Sequence, residues 1–193
     1  MKQVLVFLTD GFADWEASYV CAELNKPNSG YQVKTIAVDL EPKTSMGGLR
    51  VLPDYDMSTD LALLDIPMLI VPGGTGWSDP INVQAKELIQ HCFEREAGVA
   101  AICDATTFLG RHGFLEQHNH TSNSLPDLKL GAPNYSGDEH YVEAQAVVDR
   151  QLITANGSAA VEFTKLILEK LNVYQGEVLE QWYGIFKNGI ISA

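Results

Sequence analysis

Short, wholly apolar runs separated by stretches of helical spacing set the rhythm of this chain. Gln3–Leu8 (QVLVFL), Pro67–Val71 (PMLIV) and Val99–Ile102 (VAAI) show no polar alternation, the pattern of strands covered on both faces. Tyr31–Val38 (YQVKTIAV) predicts a further strand after the turn residues Asn25–Gly30. Helical spacing predicts helices over Trp15–Leu24, with Asp14 as N-cap, and over Ile81–Glu96, Ala105–Arg111, Gly157–Leu171 and Glu177–Phe186. Gly47-Gly48 within Thr44–Pro53 predicts a small hairpin or an irregular excursion. Glu116–Tyr135, rich in Asn, Ser, His and Pro, reads as mostly loop. Tyr141–Asp149 and Gln151–Thr154 read as two antiparallel strands joined at Asp149-Arg150.

The alternation of buried strands with helices predicts an α/β protein: a three-layer α/β/α sandwich on a mostly parallel sheet. No internal repeat or low-complexity linker interrupts residues 1–193, so one domain is expected.

Composition narrows the partners. A hydrophobic share of 46% against 20% charged residues is ordinary for a soluble globular chain. The formal net charge of −12 disfavours nucleic acid and anionic membranes. No apolar run reaches the length of a membrane span. The N-terminal MKQVLVFLTDGF is broken as a leader by Asp10 and Asp14, which predicts a first strand and a cytoplasmic protein. Cys21, Cys92 and Cys103 are widely spaced, with no CxxC pair, so neither a disulfide framework nor a structural metal site is expected. No motif asks for a cofactor; PGGTG is not a phosphate loop, because no Gly-Lys-Ser/Thr follows.

The chemistry concentrates where the apolar strands end. In GVAAICDATTFLGRHG, Cys103 stands between a buried strand and a helix, with Ala101 and Ala105 two residues away on either side. Such small flanking residues are what a nucleophile elbow needs, because the chain turns sharply there. A thiol at that helix N-terminus is expected to ionise more readily than an ordinary cysteine. The other reading, a buried apolar cysteine at a strand end, stays open on this window alone. Ligands bind at the carboxyl ends of such sheets. Two further features fall there: Glu16 in the first helical turn after TDGFAD, and the adjacent Gly73 and Gly74 of PGGTGW, whose N–H groups suit an oxyanion hole.

Taken in order, DGFADWE, VPGGTGW, AICDATTFLGRHGFL, HTSN and VVDRQLITANGSAAVEF resemble the ThiJ/PfpI family of the class I glutamine amidotransferase-like superfamily. The resemblance implies a flavodoxin-like sandwich, usually a homodimer. It also implies Cys103 as the reactive elbow cysteine and Glu16 as its acid partner, held protonated and donating to the sulfur. A neutral acid donor there favours the charged form of the sulfur.

The third position departs from the family pattern. Where relatives usually carry a histidine after the elbow helix, Thr121-Ser122 is followed by Asn123. His120 supplies a base only if its loop turns inward; His118 lies nearby. Asp104, beside the cysteine, opposes thiolate formation if it points at the sulfur, stands in as an acid–base group, or caps the helix. Without a clear histidine, a Cys-His-acid peptidase is poorly supported, and no His-x-Glu exists for glutamine amidotransfer. The expected function is a cysteine-dependent enzyme acting on small electrophiles, such as aldehydes or glycated adducts, or a weak hydrolase, with N–H groups of Gly74 and Asp104 at the oxyanion. Its competitors are a redox-responsive stress protein whose Cys103 stops at the sulfinic acid, and a binding or chaperone-like dimer.

Overall fold

A seven-stranded sheet forms the middle layer of the computed structural model, in the order β5-β2-β1-β6-β7-β9-β8. The structure describes residues 2–60, 62 and 64–189; the remaining parts of the expected 1–193 unit lie outside them. The strands are β1 (Lys2–Phe7), β2 (Tyr31–Ala37), β5 (Tyr55–Asp56), β6 (Met68–Val71), β7 (Gly98–Ile102), β8 (Ala146–Asp149) and β9 (Leu152–Ala155). All pair in parallel except β8, which runs antiparallel to β9. The short strands β3 (Lys43–Thr44) and β4 (Arg50–Val51) make a separate hairpin, the first of the two forms that Gly47-Gly48 allows.

Each central strand sends alternate residues into two apolar cores. Val4, Val6, Met68, Ile70 and Ile102 pack under helices α1 (Asp14–Leu24), α5 (Ala160–Lys170) and α6 (Gly176–Asn188). Leu5, Phe7, Leu69, Val71 and Val99 pack under α2 (Ala85–Glu94), α3 (Asp104–Arg111) and α4 (Leu125–Gly131). With both faces covered, the period of two is hidden and the strands read as continuous apolar runs. No helix among the described residues is long and apolar enough to cross a membrane.

Several expected boundaries shift, each for a local reason. Helix α4 lies inside the segment expected to be loop. It is held by the Ser124 side chain accepting from the Asp127 N–H (3.1 Å) and buries only Leu128, too little to leave an apolar period. Asp14 is not a cap: α1 begins on it, and its carboxylate accepts from Ser45 Oγ (2.7 Å), tying down the β3–β4 hairpin. The helix expected from Ile81 opens as a 3-10 turn, Pro80–Gln84, because Asp79 caps Ile81 N–H (3.0 Å) ahead of α2. The strand expected from Tyr141 starts at Ala146; Val142 N–H bonds instead to His120 C=O (2.8 Å). The edge strand β5 was not expected at all, and two residues are too few to show a pattern.

The order places β2 and β6 on opposite sides of β1. The chain therefore leaves in opposite directions after β1 and β6, opening a crevice at the carboxyl ends of β1, β6 and β7. Phe163 is fully buried in the core that supports the floor of that crevice. Truncation by Phe163→Ala is expected to cost about 3–5 kcal/mol of stability, read as a lowered urea midpoint with an unchanged slope.

Candidate active site

Cys103 ends β7 with φ 60° and ψ −131°, a conformation rarely adopted by a residue with a side chain. The surroundings hold it there. Its N–H donates to Ala155 C=O (3.0 Å), and its C=O accepts from both Thr106 N–H (2.9 Å) and Thr106 Oγ1 (2.6 Å). Ala101 and Ala105 are fully buried on either side, the crowding that calls for small residues at an elbow. Gly73 lies against the turn: a Cβ there would stand 2.6 Å from Cys103 Cβ and 2.9 Å from Asp104 N.

Glu16 comes from the first turn of α1, at the carboxyl end of β1, and is fully buried. Its Oε2 accepts from Gly73 N–H at 2.6 Å, which fixes the carboxyl group across the crevice. Its Oε1 has no hydrogen-bond partner of its own. Gly157 marks the space it faces, since a Cβ at that residue would stand 2.8 Å from Cys103 Sγ and 3.3 Å from Glu16 Oε1. Gly157 was missed as a site residue; its only signal was its place in the NGSAA motif.

Burial pushes the Glu16 carboxyl up to about 7, against the Gly73 hydrogen bond that favours its charge. Cys103 is not the easily ionised thiol expected from its place at a helix N-terminus. Burial, then the negative charge of Glu16, pushes it up to about 11, with Asp104 adding to the rise and Asn123 opposing it. Cys21 and Cys92 sit in α1 and α2 and are pushed to about 12 by burial alone. What distinguishes Cys103 is therefore its company, chiefly a carboxyl with a free oxygen on its sulfur side.

Asn123 belongs to that company. Its Nδ2 donates to Cys103 Sγ at 3.3 Å, while its Oδ1 accepts from Gly157 N–H at 2.8 Å. The Gly157 bond turns the amide so that its donor faces the sulfur, and an amide nitrogen takes up no proton. Ser122, bonded to Thr106 Oγ1 (2.7 Å), ties the preceding residue to the elbow.

The structure does not bring His120 to the sulfur. Its ring is fully buried between His118 C=O, which Nδ1 reaches at 2.6 Å, and Tyr135 Oη, which lies 2.7 Å from Nε2. A carbonyl only accepts, so Nδ1 carries the proton and Tyr135 donates to Nε2. Both ring edges are occupied, and burial lowers the imidazole's proton affinity. His120 pairs with Tyr141 through its backbone, which holds it in the loop layer. His118 packs its ring on Phe93, centroids 5.7 Å apart, near Asp149.

Gly73 N–H, expected to serve an oxyanion hole with Gly74, is taken by Glu16 Oε2 instead, which leaves two other backbone donors at the elbow. Gly74 N–H and Asp104 N–H make no hydrogen bond among the described residues, and Gly74 holds its amide in place with φ +116°, a conformation that favours glycine. A cleft of about 390 Å³ opens beside them, lined by Gly74, Asp104, Arg111, Asn123 and Asp127. Trp77 also lines this cleft, with its largely buried ring stacked on Phe7 and tilted on Phe108 and its Nε1 donating to Pro72 C=O (2.9 Å).

The coupled pair makes a prediction about reactivity. Below about 7 both Glu16 and Cys103 are protonated; above it the pair holds one proton, which Glu16 can take from the sulfur. Alkylation of Cys103 by iodoacetamide is therefore expected to rise as pH passes through about 7. Glu16→Gln removes the acceptor and should abolish that rise, leaving a single thiol titration at higher pH. Persistence of the lower rise in Glu16→Gln would contradict the pairing.

Comparison with known proteins shows the family and the fold. The profile of the DJ-1/PfpI family matches residues 2–170. An uncharacterized protease of Bacillus subtilis, YoaZ, is 33% identical over 192 residues, covering 96% of this chain and 91% of its own length. A ThiJ/PfpI family protein from Bacillus anthracis superposes with a TM-score of 0.88 at 36% identity, covering 96% of this chain and 90% of its own. A DJ-1 superfamily protein from Agrobacterium tumefaciens does so with a TM-score of 0.88 at 34% identity, covering 97% and 98%. With the family pattern matched from the first strand to the last residue of α5, this chain belongs to the DJ-1/PfpI family.

Proposed function

We propose that the protein is a cysteine-dependent enzyme that attacks small carbonyl electrophiles (aldehydes, glycated adducts or activated esters) through the Cys103 thiolate. One observation carries the reading: a fully buried Glu16 carboxyl keeps one oxygen without a partner and directs it to the side of a half-buried sulfur. Glu16 takes the thiol proton as sulfur adds to the carbonyl carbon, and the new oxyanion lies against the N–H groups of Gly74 and Asp104. Peptide hydrolysis is the weaker use of the same site, although the Bacillus subtilis relative carries a protease name. Expelling an amine calls for a strong acid–base group at the leaving nitrogen, and the amide of Asn123 faces the sulfur instead.

Cys103→Ser is expected to lower turnover of methylglyoxal and of ester substrates at least about a hundred-fold, the scale of losing a covalent nucleophile. Unchanged turnover of both would remove the reading.

The donor set around the sulfur favours a second reading, a redox-responsive protein. Asn123 Nδ2, Gly74 N–H and a protonated Glu16 suit sulfinate oxygens as well as an oxyanion. Mild peroxide should then add two oxygens at Cys103 by intact mass, and Glu16→Leu should suppress the gain. No gain in the unaltered protein counts against it.

A further inference from the structure

The proposed chemistry leaves one proton without an acceptor. If Cys103 is acylated by an ester, the thioester must be opened by water, and the attacking water has to lose a proton. Glu16 is buried and anchored by Gly73, Asn123 offers the site only a donor, and His120 has both ring nitrogens occupied. Asp104 fills the gap. It is the first residue of α3, its side chain is exposed to the cleft beside the elbow, and its carboxylate has no hydrogen-bond or ion-pair partner among the described residues.

The charged groups around it decide its protonation. Asp127 faces it from α4 across the cleft, and Glu16 lies on the α1 side of the elbow. Arg111, at the far end of α3 in the same cleft, directs Nε to Gly131 C=O (3.1 Å) and Nη1 to Trp77 C=O (3.5 Å), and no cation among the described residues is ion-paired with the Asp104 carboxylate. Partial desolvation, then the charge of Asp127, raises its proton affinity above that of an ordinary aspartate. A more basic carboxylate is the better proton acceptor.

We infer that Asp104 is a catalytic residue, the general base that deacylates Cys103. The inference rests on Cys103 being the nucleophile. Water oxygen adds to the thioester carbon as one of its protons passes to the Asp104 carboxylate. The carbonyl electron pair moves onto oxygen beneath the N–H groups of Gly74 and Asp104. When the carbonyl re-forms, the carbon–sulfur bond breaks and its electron pair returns to Cys103 Sγ, faced by the proton of Glu16 and the amide of Asn123. The product leaves as a carboxylic acid, and Asp104, open to solvent, gives up the proton it took. Asp104 thus has two parts in the site: its backbone donates to the oxyanion and its side chain accepts from water.

The two parts separate by mutation, because Asp104→Asn keeps the backbone N–H and the side-chain shape. The full-length protein would be acetylated with p-nitrophenyl acetate, desalted, and the acetyl mass on Cys103 followed with time, its position fixed by peptide mapping. Acetyl-Cys103 is expected to form in both forms but to decay at least about ten-fold more slowly in Asp104→Asn, with partial recovery in Asp104→Glu. Removing the neighbouring charge by Asp127→Asn should shift the fall in decay rate at acid pH to lower pH, because the charge of Asp127 raises the Asp104 carboxyl. A purely structural role would not move that limb. Equal decay in the unaltered protein and Asp104→Asn, or an unmoved limb in Asp127→Asn, overturns the inference and leaves the nucleophile untouched. Undiminished turnover in Cys103→Ser instead overturns the reading beneath it.

Discussion

The hydrogen bond from Gly73 N–H to Glu16 Oε2 is the contact on which the site depends. It joins the loop after β6 to the first turn of α1, segments that diverge on opposite sides of the strand-order switch. By occupying one carboxyl oxygen, it leaves the other with a single direction and a single space, the gap at Gly157 beside the sulfur. Burying that carboxyl is costly, since desolvation raises its proton affinity to about 7. So is the backbone of Cys103, whose positive φ costs on the order of 1–3 kcal/mol. Both persist because the two apolar cores and the bonds from Thr106 and Ala155 over-determine the elbow.

The fold was legible because its signal is collective. Each central strand buries both faces, so Val4–Phe7 and Met68–Val71 appear as unbroken apolar runs that no surface helix would produce. The segments that misled are those whose structure rests on single polar contacts. Helix α4 hangs on the Ser124 cap and one buried leucine, and the 3-10 turn at Pro80 hangs on Asp79. Asp14 had the right chemistry for a cap and is used to hold the β3–β4 hairpin through Ser45. Local propensity describes what a residue can do, and tertiary contacts choose among the options.

The site divides along the same line. Cys103, Glu16, Gly73 and Gly74 stand at strand ends, so a correct strand pattern brings them together before any side-chain geometry is known. Whether a loop residue faces the sulfur depends on contacts far apart in sequence. Asn123 does so because Gly157, 34 residues away, takes its carbonyl and Ser122 is tied to Thr106. His120 does not, because Tyr135 and His118 claim its ring and Tyr141 pairs with its backbone. Neither outcome is written in the local spacing of HTSN. The thiol's proton affinity was misjudged for a related reason. A helix N-terminus is visible in sequence, whereas the burial of the sulfur and the charge of Glu16 beside it are not, and here these outweigh the helix end.

Asparagine at position 123 also simplifies the site's proton inventory. A histidine there would add a group titrating near 6.5 beside the sulfur, close to the value of about 7 at which Glu16 changes charge. Three coupled groups would then share protons over one narrow range, and the sulfur's state would follow all of them. The amide removes one, leaving the sulfur to exchange its proton with Glu16 while Asn123 offers a fixed donor at every pH. The acid–base work that a histidine would have done must then fall outside the pair. Asp104 lies outside it, on the solvent side of the elbow, with Asp127 across the cleft to raise its affinity. On the proposed mechanism, the asparagine at 123 and the carboxylate at 104 are two halves of one arrangement: a closed pair to make the nucleophile and an open carboxylate to renew it.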